Sequence, residues 1–438
     1  MAIPASDESK QEVLLEPAKS AVEEKSHPLG QLTQQEIDRR VIDRERLRQR
    51  EKEKEDRAKE EEKVNILLIG SKHLASHIVY ALRNYARFTV VDRTDPLLIF
   101  QNPYVAFNMK YSDVQMFQFS EYDIEQNLPK ILDINNYDFI INTHSIHSSI
   151  FSAVNPVQTM YTNCVWTQAL MNSILKSKNS NASILHISSD KVYGDQGTPP
   201  GIGAHDSKTG MYYPEFKIKE IDNPNPLGIK AISRYNQELI FTQMCKTYGL
   251  KYMVFRVGTM YGKFTPRDNI MNSMIISAMR DSVINMYGDQ YASRDLIDIE
   301  EVAHITKKVL IEKYDSSAWN EIYNIGGCYP TRMYVSGLAQ FVAAILAGYP
   351  ILSKDYDYIK PYLSIRVKSV PARCFEDTRE AGIRMWLDCE KAQKKIGYDP
   401  TLRNEWQQHF KEVYLWALHY YLNYTVDQVQ ETRLKIQR

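Results

Sequence analysis

Val64 to Val79, VNILLIGSKHLASHIV, is the stretch whose reading decides the fold. Six mostly apolar residues, Val64 to Ile69, have the length and character of a buried strand. Gly70 follows at once, and Leu74 to Arg83 reads as a helix. A strand that runs through a glycine turn directly into a helix is the opening unit of an alternating α/β chain.

The alternation continues outward from it. Phe88 to Val91, Phe139 to Ile141, Ile184 to Ile187 and Tyr252 to Phe255 read as further strands, with a helix over Thr159 to Lys176. Such a series predicts a doubly wound, mainly parallel sheet with helices on both faces. No repeat of 20 to 50 residues is visible.

The bulk composition narrows the class of function. Lysine plus arginine and aspartate plus glutamate both number 54 in 438 residues, so net charge predicts no attraction to nucleic acid or anionic lipid. The five cysteines are scattered without a C-x-x-C pair, which argues against a disulfide framework and against a zinc site. The N-terminal segment has neither a signal-peptide apolar core nor a transit-peptide composition, and no apolar run approaches the ~18 residues of a membrane span. A cytoplasmic protein, cytoskeletal assemblies included, is the expectation.

Residues 1–34 read as a tail that is disordered or ordered by a partner. Residues 35–63 then read as a single charged helix of coiled-coil composition. Between Glu36 and Lys63, 22 of 28 residues are charged, 11 of each sign, with opposite charges at helical spacing such as Glu36 with Arg40 and Glu53 with Arg57. Thr33 and Glu36 supply a capping box. Two readings stand: a solvated helix held by its own ion pairs, or a rigid arm about 40 Å long that docks the globular body onto protein partners in a larger or filamentous assembly.

Two further segments carry chemistry. Ser188-Ser189-Asp190-Lys191-Val192-Tyr193-Gly194 is followed by Pro224 to Glu238, PNPLGIKAISRYNQE. Together with the glycine turn they resemble the extended short-chain dehydrogenase/reductase family. The pattern is closest to its NAD-dependent epimerase/dehydratase and dTDP-4-dehydrorhamnose reductase groups. The resemblance implies a Rossmann domain, drawn here at 64–255, and a smaller substrate-type domain over 256–422, with segments exchanged between the two and a tail at 423–438.

Family members read roughly T-G-x-x-G-F-I-G-S-H at the turn. Aligning Ser76-His77 with S-H places Gly70 at the first glycine, Lys72 at the second and Ala75 at the third, in a loop one residue short. Asp92, 22 residues beyond Gly70, takes the position of the acid that binds a cofactor ribose. NAD or NADP is the implied cofactor. The same residues also fit a turn inherited without full cofactor affinity. Asn163 matches an asparagine that commonly supports the site. His144 with His147, and His73 with His77, have metal-ligand spacing, but with no cysteine or carboxylate motif around them packing or capping is expected and no metal is assigned.

The family's catalytic set is a serine or threonine, a tyrosine that moves the proton and a lysine four residues on. Ser189 retains the first. Lys230 replaces the tyrosine and Arg234 the lysine. A lysine is a cation at neutral pH unless burial or neighbouring charge depresses it, so the replacement points to a silent or altered site.

The second half follows the family in order. Arg256 opens an R-x-G-x-x-Y-G segment ending at Gly262, and Arg294-Asp295 lies in the R-D segment whose basic residue contacts a diphosphate in sugar-nucleotide members. Arg256 and Arg294 are therefore candidate substrate contacts; Arg294 instead pairing with Asp295 is the alternative. Lys191, Lys230, Arg234 and Arg294 would together line a basic cleft for an anion such as a nucleotide or nucleotide sugar. The reading that joins these departures is a non-catalytic structural or regulatory subunit, a pseudoenzyme with a scaffold role. Its rival is an active NAD(P)-dependent nucleotide-sugar epimerase, dehydratase or reductase that uses Lys230. Family members often dimerise through a contact that includes the active-site helix, so a homodimer is implied.

Overall fold

A computed structural model describes residues 63–71, 73–93, 109, 112–118, 124–194, 204–205, 212–213, 217–263, 265–267, 269–288, 292–312, 316–327, 332–346, 365–370, 386–399, 409–410 and 412–417. The tail at 1–34, the charged helix up to residue 62, Lys72 and the tail at 423–438 lie outside the described residues. The described residues belong to one compact unit, Ala58–Arg438.

Fourteen strands occur among them. The first five are β1 (Val64–Ile69), β2 (Ala86–Asp92), β3 (Asp113–Gln118), β4 (Phe139–Asn142) and β5 (Ser183–Ser189). A short hairpin, β6 (Ala204–His205) and β7 (Tyr212–Tyr213), precedes β8 (Tyr252–Val257), β9 (Thr259–Tyr261), β10 (Val283–Tyr287), β11 (Ser293–Asp298), β12 (Glu321–Ile325), β13 (Arg332–Tyr334) and β14 (Arg366–Val370). Seven of these form one parallel sheet in the order β12-β8-β5-β4-β1-β2-β3. The order reverses between β1 and β4, and that is the switch point at which such sheets open a crevice beyond their carboxyl ends.

The helices are α1 (Leu74–Leu82), α2 (Ile124–Leu132), α3 (Ser149–Val154), α4 (Pro156–Met160), α5 (Trp166–Lys176), α6 (Gly228–Tyr248), α7 (Ile270–Asp281), α8 (Ile299–Ile311), α9 (Val335–Leu346) and α10 (Glu390–Ile396). Strand alternation explains the two cores. Ile66 and Leu68 on β1 face one way, into a cluster with Ile78, Leu82, Val302 and Val309 from α1 and α8. Leu67 and Ile69 face the other way, into a cluster with Leu170, Ile174 and Phe241 from α5 and α6. A sheet buried on both faces calls for apolar residues at consecutive positions, which is what VNILLI supplies.

Strand β12 lies well beyond residue 255, yet it pairs parallel with β8 and extends the main sheet. A third cluster, including Met271, Ile275, Leu296, Leu338 and Phe410, forms the core of the smaller module built on α7, β11 and α9. Asp298 caps α8 by accepting from the Glu300 N–H at 2.9 Å, and Glu300 and Glu301 in the first turn complement the helix dipole.

Candidate active site

The turn after β1 is built as the glycine demands. Gly70 has φ of +98°, and a Cβ there would stand 2.5 Å from Thr143 Oγ1. His73, the residue before α1, takes φ of 49° and ψ of −115°, backbone space that glycine occupies and a side chain strains. His73 therefore holds the position of the second glycine, and Ser76, three residues on and buried, holds that of the third. This register stands beside the one through Lys72 and Ala75. Ala75 is a buried residue of α1.

Asp92 ends β2 at the rim of the crevice. Its carboxylate accepts from the Ser71 N–H at 2.8 Å and from the Ser71 hydroxyl at 2.7 Å, so it braces the turn. A glycine-type turn opening a helix, an acid at the end of the next strand and the switch point between β1 and β4 fit a dinucleotide.

Asn163 lies in a single π-helical turn, Tyr161–Val165, between α4 and α5. It accepts from the Ile146 N–H at 2.7 Å and donates to the Ile146 carbonyl at 3.2 Å and to Ser233 Oγ at 2.9 Å. The Ser233 hydroxyl in turn donates to the Lys230 carbonyl at 2.9 Å. Asn163 thus fastens the loop after β4 to the start of α6, a supporting role with Ser233 as its partner. Ser233 was not singled out from the sequence, although it occupies the serine or threonine position of the helix motif.

The two replaced residues of α6 have parted company. Lys230 is half-buried and its ammonium donates to Ser149 Oγ at 3.2 Å. Arg234 is buried, and donates to the Ile187 carbonyl at 2.5 Å and to Gln237 Oε1 at 2.8 Å. Gln237 passes the connection on, donating to the His144 carbonyl at 2.9 Å and to Thr167 Oγ1 at 3.0 Å. Burial lowers the Arg234 guanidinium to about 10, against the opposing pull of Glu238, and it remains a cation at neutral pH. Arg234 is a charge held beneath the cleft rather than a side chain reaching into it.

Ser189 caps the short turn Asp190–Tyr193: its hydroxyl accepts from the Lys191 N–H at 3.2 Å and donates to Asp190 Oδ1 at 3.1 Å. Lys191 forms an ion pair with Asp190 at 3.1 Å. Burial first, and then the charges of Arg294 and Lys230, lower the Lys191 ammonium, while Asp190 holds it up. Lys191, Lys230 and Arg294 thus come from three different elements, and Arg234, the fourth cation of the expected basic cleft, is bonded to Ile187 and Gln237 instead.

His147 opens to solvent in this cleft and meets His73 edge to face, with ring centroids 5.6 Å apart. His77 is turned elsewhere, with Nε2 3.1 Å from the Lys263 carbonyl. Among the described residues no group of three or more histidine, cysteine or acidic side chains is arranged to hold a metal ion.

Arg256 is a correction to the substrate-contact expectation. It is buried on β8, where it forks Glu238 with Nη2 to Oε1 at 2.6 Å and lies 4.7 Å over the Tyr193 ring. Burial works against its charge, but Glu238 outweighs it and raises the guanidinium further. Arg294 and Asp295 point to opposite faces of β11 by strand alternation. Asp295, wholly buried, accepts from the Gly327 and Leu387 N–H groups at 2.8 and 2.9 Å and ties the two halves together. Arg294 stays with the Lys191 group, its Nη1 donating to the Ser293 carbonyl at 2.7 Å.

Known proteins share this architecture. The family model described as the NAD dependent epimerase/dehydratase family matches residues 75–326. A dTDP-glucose 4,6-dehydratase of Haemophilus influenzae is 24% identical over 282 residues, covering 62% of this chain and 73% of that protein. Among solved structures, the dTDP-glucose 4,6-dehydratase DesIV of Streptomyces venezuelae, with NAD bound, superposes at a TM-score of 0.62 with 18% identity, covering 81% of this chain and 97% of that one. The UDP-glucuronic acid 4-epimerase of Bacillus cereus, in complex with UDP-glucuronic acid and NAD, gives 0.61 with 18% identity, covering 80% and 98%. The strand order, the glycine turn and the family match together establish that the chain belongs to the NAD dependent epimerase/dehydratase family, an extended short-chain dehydrogenase/reductase.

Proposed function

We propose that the chain is an NAD-dependent nucleotide-sugar enzyme of epimerase, dehydratase or reductase type in which Lys230 takes the proton-moving place of the missing tyrosine. The observation that carries this reading is the location of Lys230: at the start of α6, with its ammonium 3.2 Å from Ser149 Oγ beyond β4. Gly70, Ser71 and the start of α1 would hold the pyrophosphate and Asp92 a ribose. The bound dinucleotide supplies hydride exchange. Lys230 then moves a proton at its ammonium, Ser189 orients the reacting oxygen, and Arg294 and Lys191 attract the anionic nucleotide part.

The test is turnover of UDP- and dTDP-sugars by the purified chain with NAD or NADP, followed by product chromatography. Turnover that Lys230→Ala abolishes supports the proposal. Dinucleotide binding with no turnover of any such sugar refutes the catalytic part and favours a second reading, a non-catalytic subunit. That reading draws support from Arg234, whose guanidinium is committed to Ile187 and Gln237. In either case we propose that residues 36–63 dock onto a protein assembly and that the body pairs with a second copy; cross-linking of the native complex, with and without residues 1–62, tests both.

A further inference from the structure

The crevice is electrically polarised along its length. At the β2 end stands the carboxylate of Asp92, against the turn. At the β4 and β5 end stand Lys230, bonded to Ser149 beyond β4 at 3.2 Å, and Lys191 beyond β5, with Arg234 buried below against the Ile187 carbonyl and Arg294 on β11 close enough for its charge to act on Lys191. Among the described residues, Asp190 is bound to Lys191 at 3.1 Å. A dinucleotide laid across the switch point with one ribose at Asp92 and its pyrophosphate over Gly70 sends its other nucleoside to the cationic end.

The two redox states of a nicotinamide dinucleotide differ by one charge, located on that ring. The oxidised ring is a cation, and the reduced ring is neutral. In a partly desolvated cleft a cation placed beside like charges is disfavoured far more than in water. We propose that this cleft discriminates between the two states, holding the reduced dinucleotide in preference to the oxidised one, with Lys230 and Arg294 as the residues that set the preference. The inference rests on the cofactor site proposed above and deepens it. A site that prefers the reduced form would suit reduction of a carbonyl to an alcohol, for which the dinucleotide would supply hydride to the carbon and be oxidised, and Lys230 would supply the proton to the oxygen.

Calorimetric titration of the full chain with NADH and with NAD+ tests this. Binding of NADH at least about tenfold tighter than NAD+ is expected at low salt, with the ratio narrowing as salt is raised, because exposed charge is screened. Lys230→Met and Arg294→Met, each confirmed to melt cooperatively near the parent, should tighten NAD+ relative to NADH. Equal affinity for the two states, or tighter NAD+, overturns the preference and leaves the cofactor site standing. A preference unchanged in both variants overturns the assignment to these residues. No binding of either dinucleotide overturns the cofactor site and the preference together.

Discussion

Glu238 and Arg256 form a buried fork across α6 and β8, with Arg256 Nη2 2.6 Å and Nε 3.1 Å from Glu238 Oε1, and the Ser188 hydroxyl donating to Oε2 at 2.6 Å. The pair locks the active-site helix to the strand beneath it. Removing one partner leaves an uncompensated charge in the core, whereas removing both does not. Arg256→Met is therefore expected to destabilise the chain by about 3–5 kcal/mol in urea denaturation. Arg256→Met combined with Glu238→Leu should recover most of that loss, and a double variant as unstable as the single one would refute the ion-pair account.

The turn residues Gly70 and His73 make opposite predictions from the same physics. At Gly70, φ is +98° and a Cβ would press on Thr143 Oγ1, so Gly70→Ala should destabilise. At His73 the backbone already sits in glycine space, so His73→Gly should relieve strain and stabilise by roughly 1–3 kcal/mol. Thermal melts of the two variants decide it, and a destabilised His73→Gly would show that the imidazole contacts outweigh the strain.

His186 lies wholly buried in the middle of β5 against Phe241, ring centroids 4.9 Å apart, with no hydrogen-bond partner for either ring nitrogen. Burial, and then Arg234, hold its imidazole well below 6.5. Above that pH the ring is neutral in both folded and unfolded chains. Below it the unfolded chain takes up a proton that the folded chain refuses, so stability falls with pH, by up to about 1.4 kcal/mol per pH unit for one such group. His186→Leu gives up no hydrogen bond, so it should stabilise the fold at pH 7 and lessen the loss between pH 6.5 and 5 by close to one proton's slope. An unchanged pH slope in denaturation measured across that range would contradict this assignment.

Much of the fold was legible because it is written in local pattern. The apolar run at Val64–Ile69, the glycine after it and the recurrence of short buried strands pointed to a doubly wound sheet, and the family segments fixed their order. Strand β3 was not read, because as an edge strand it alternates exposed and half-buried residues and lacks a continuous apolar run. The site was legible in part. Asp92 ends β2, Ser189 ends β5 and Lys230 lies near the start of α6, but the register of the glycine loop depends on a backbone angle at His73 that its residue type does not announce. Arg256 and Arg234 looked like cleft residues because charge on a motif suggests a ligand. Their true partners, Glu238 for one and the Ile187 carbonyl for the other, are set by how α6 packs on β5 and β8, a long-range relation that spacing alone does not reveal.

The measurement that bears most directly on the central claim is a diffraction structure of the full chain crystallised with NADH. The account predicts a dinucleotide across the β1–β4 switch point, its pyrophosphate over Gly70 at the start of α1, one ribose at Asp92 and the nicotinamide beside Lys230. A cleft left empty at saturating NADH, or a dinucleotide bound with its nicotinamide away from Lys230, would contradict it.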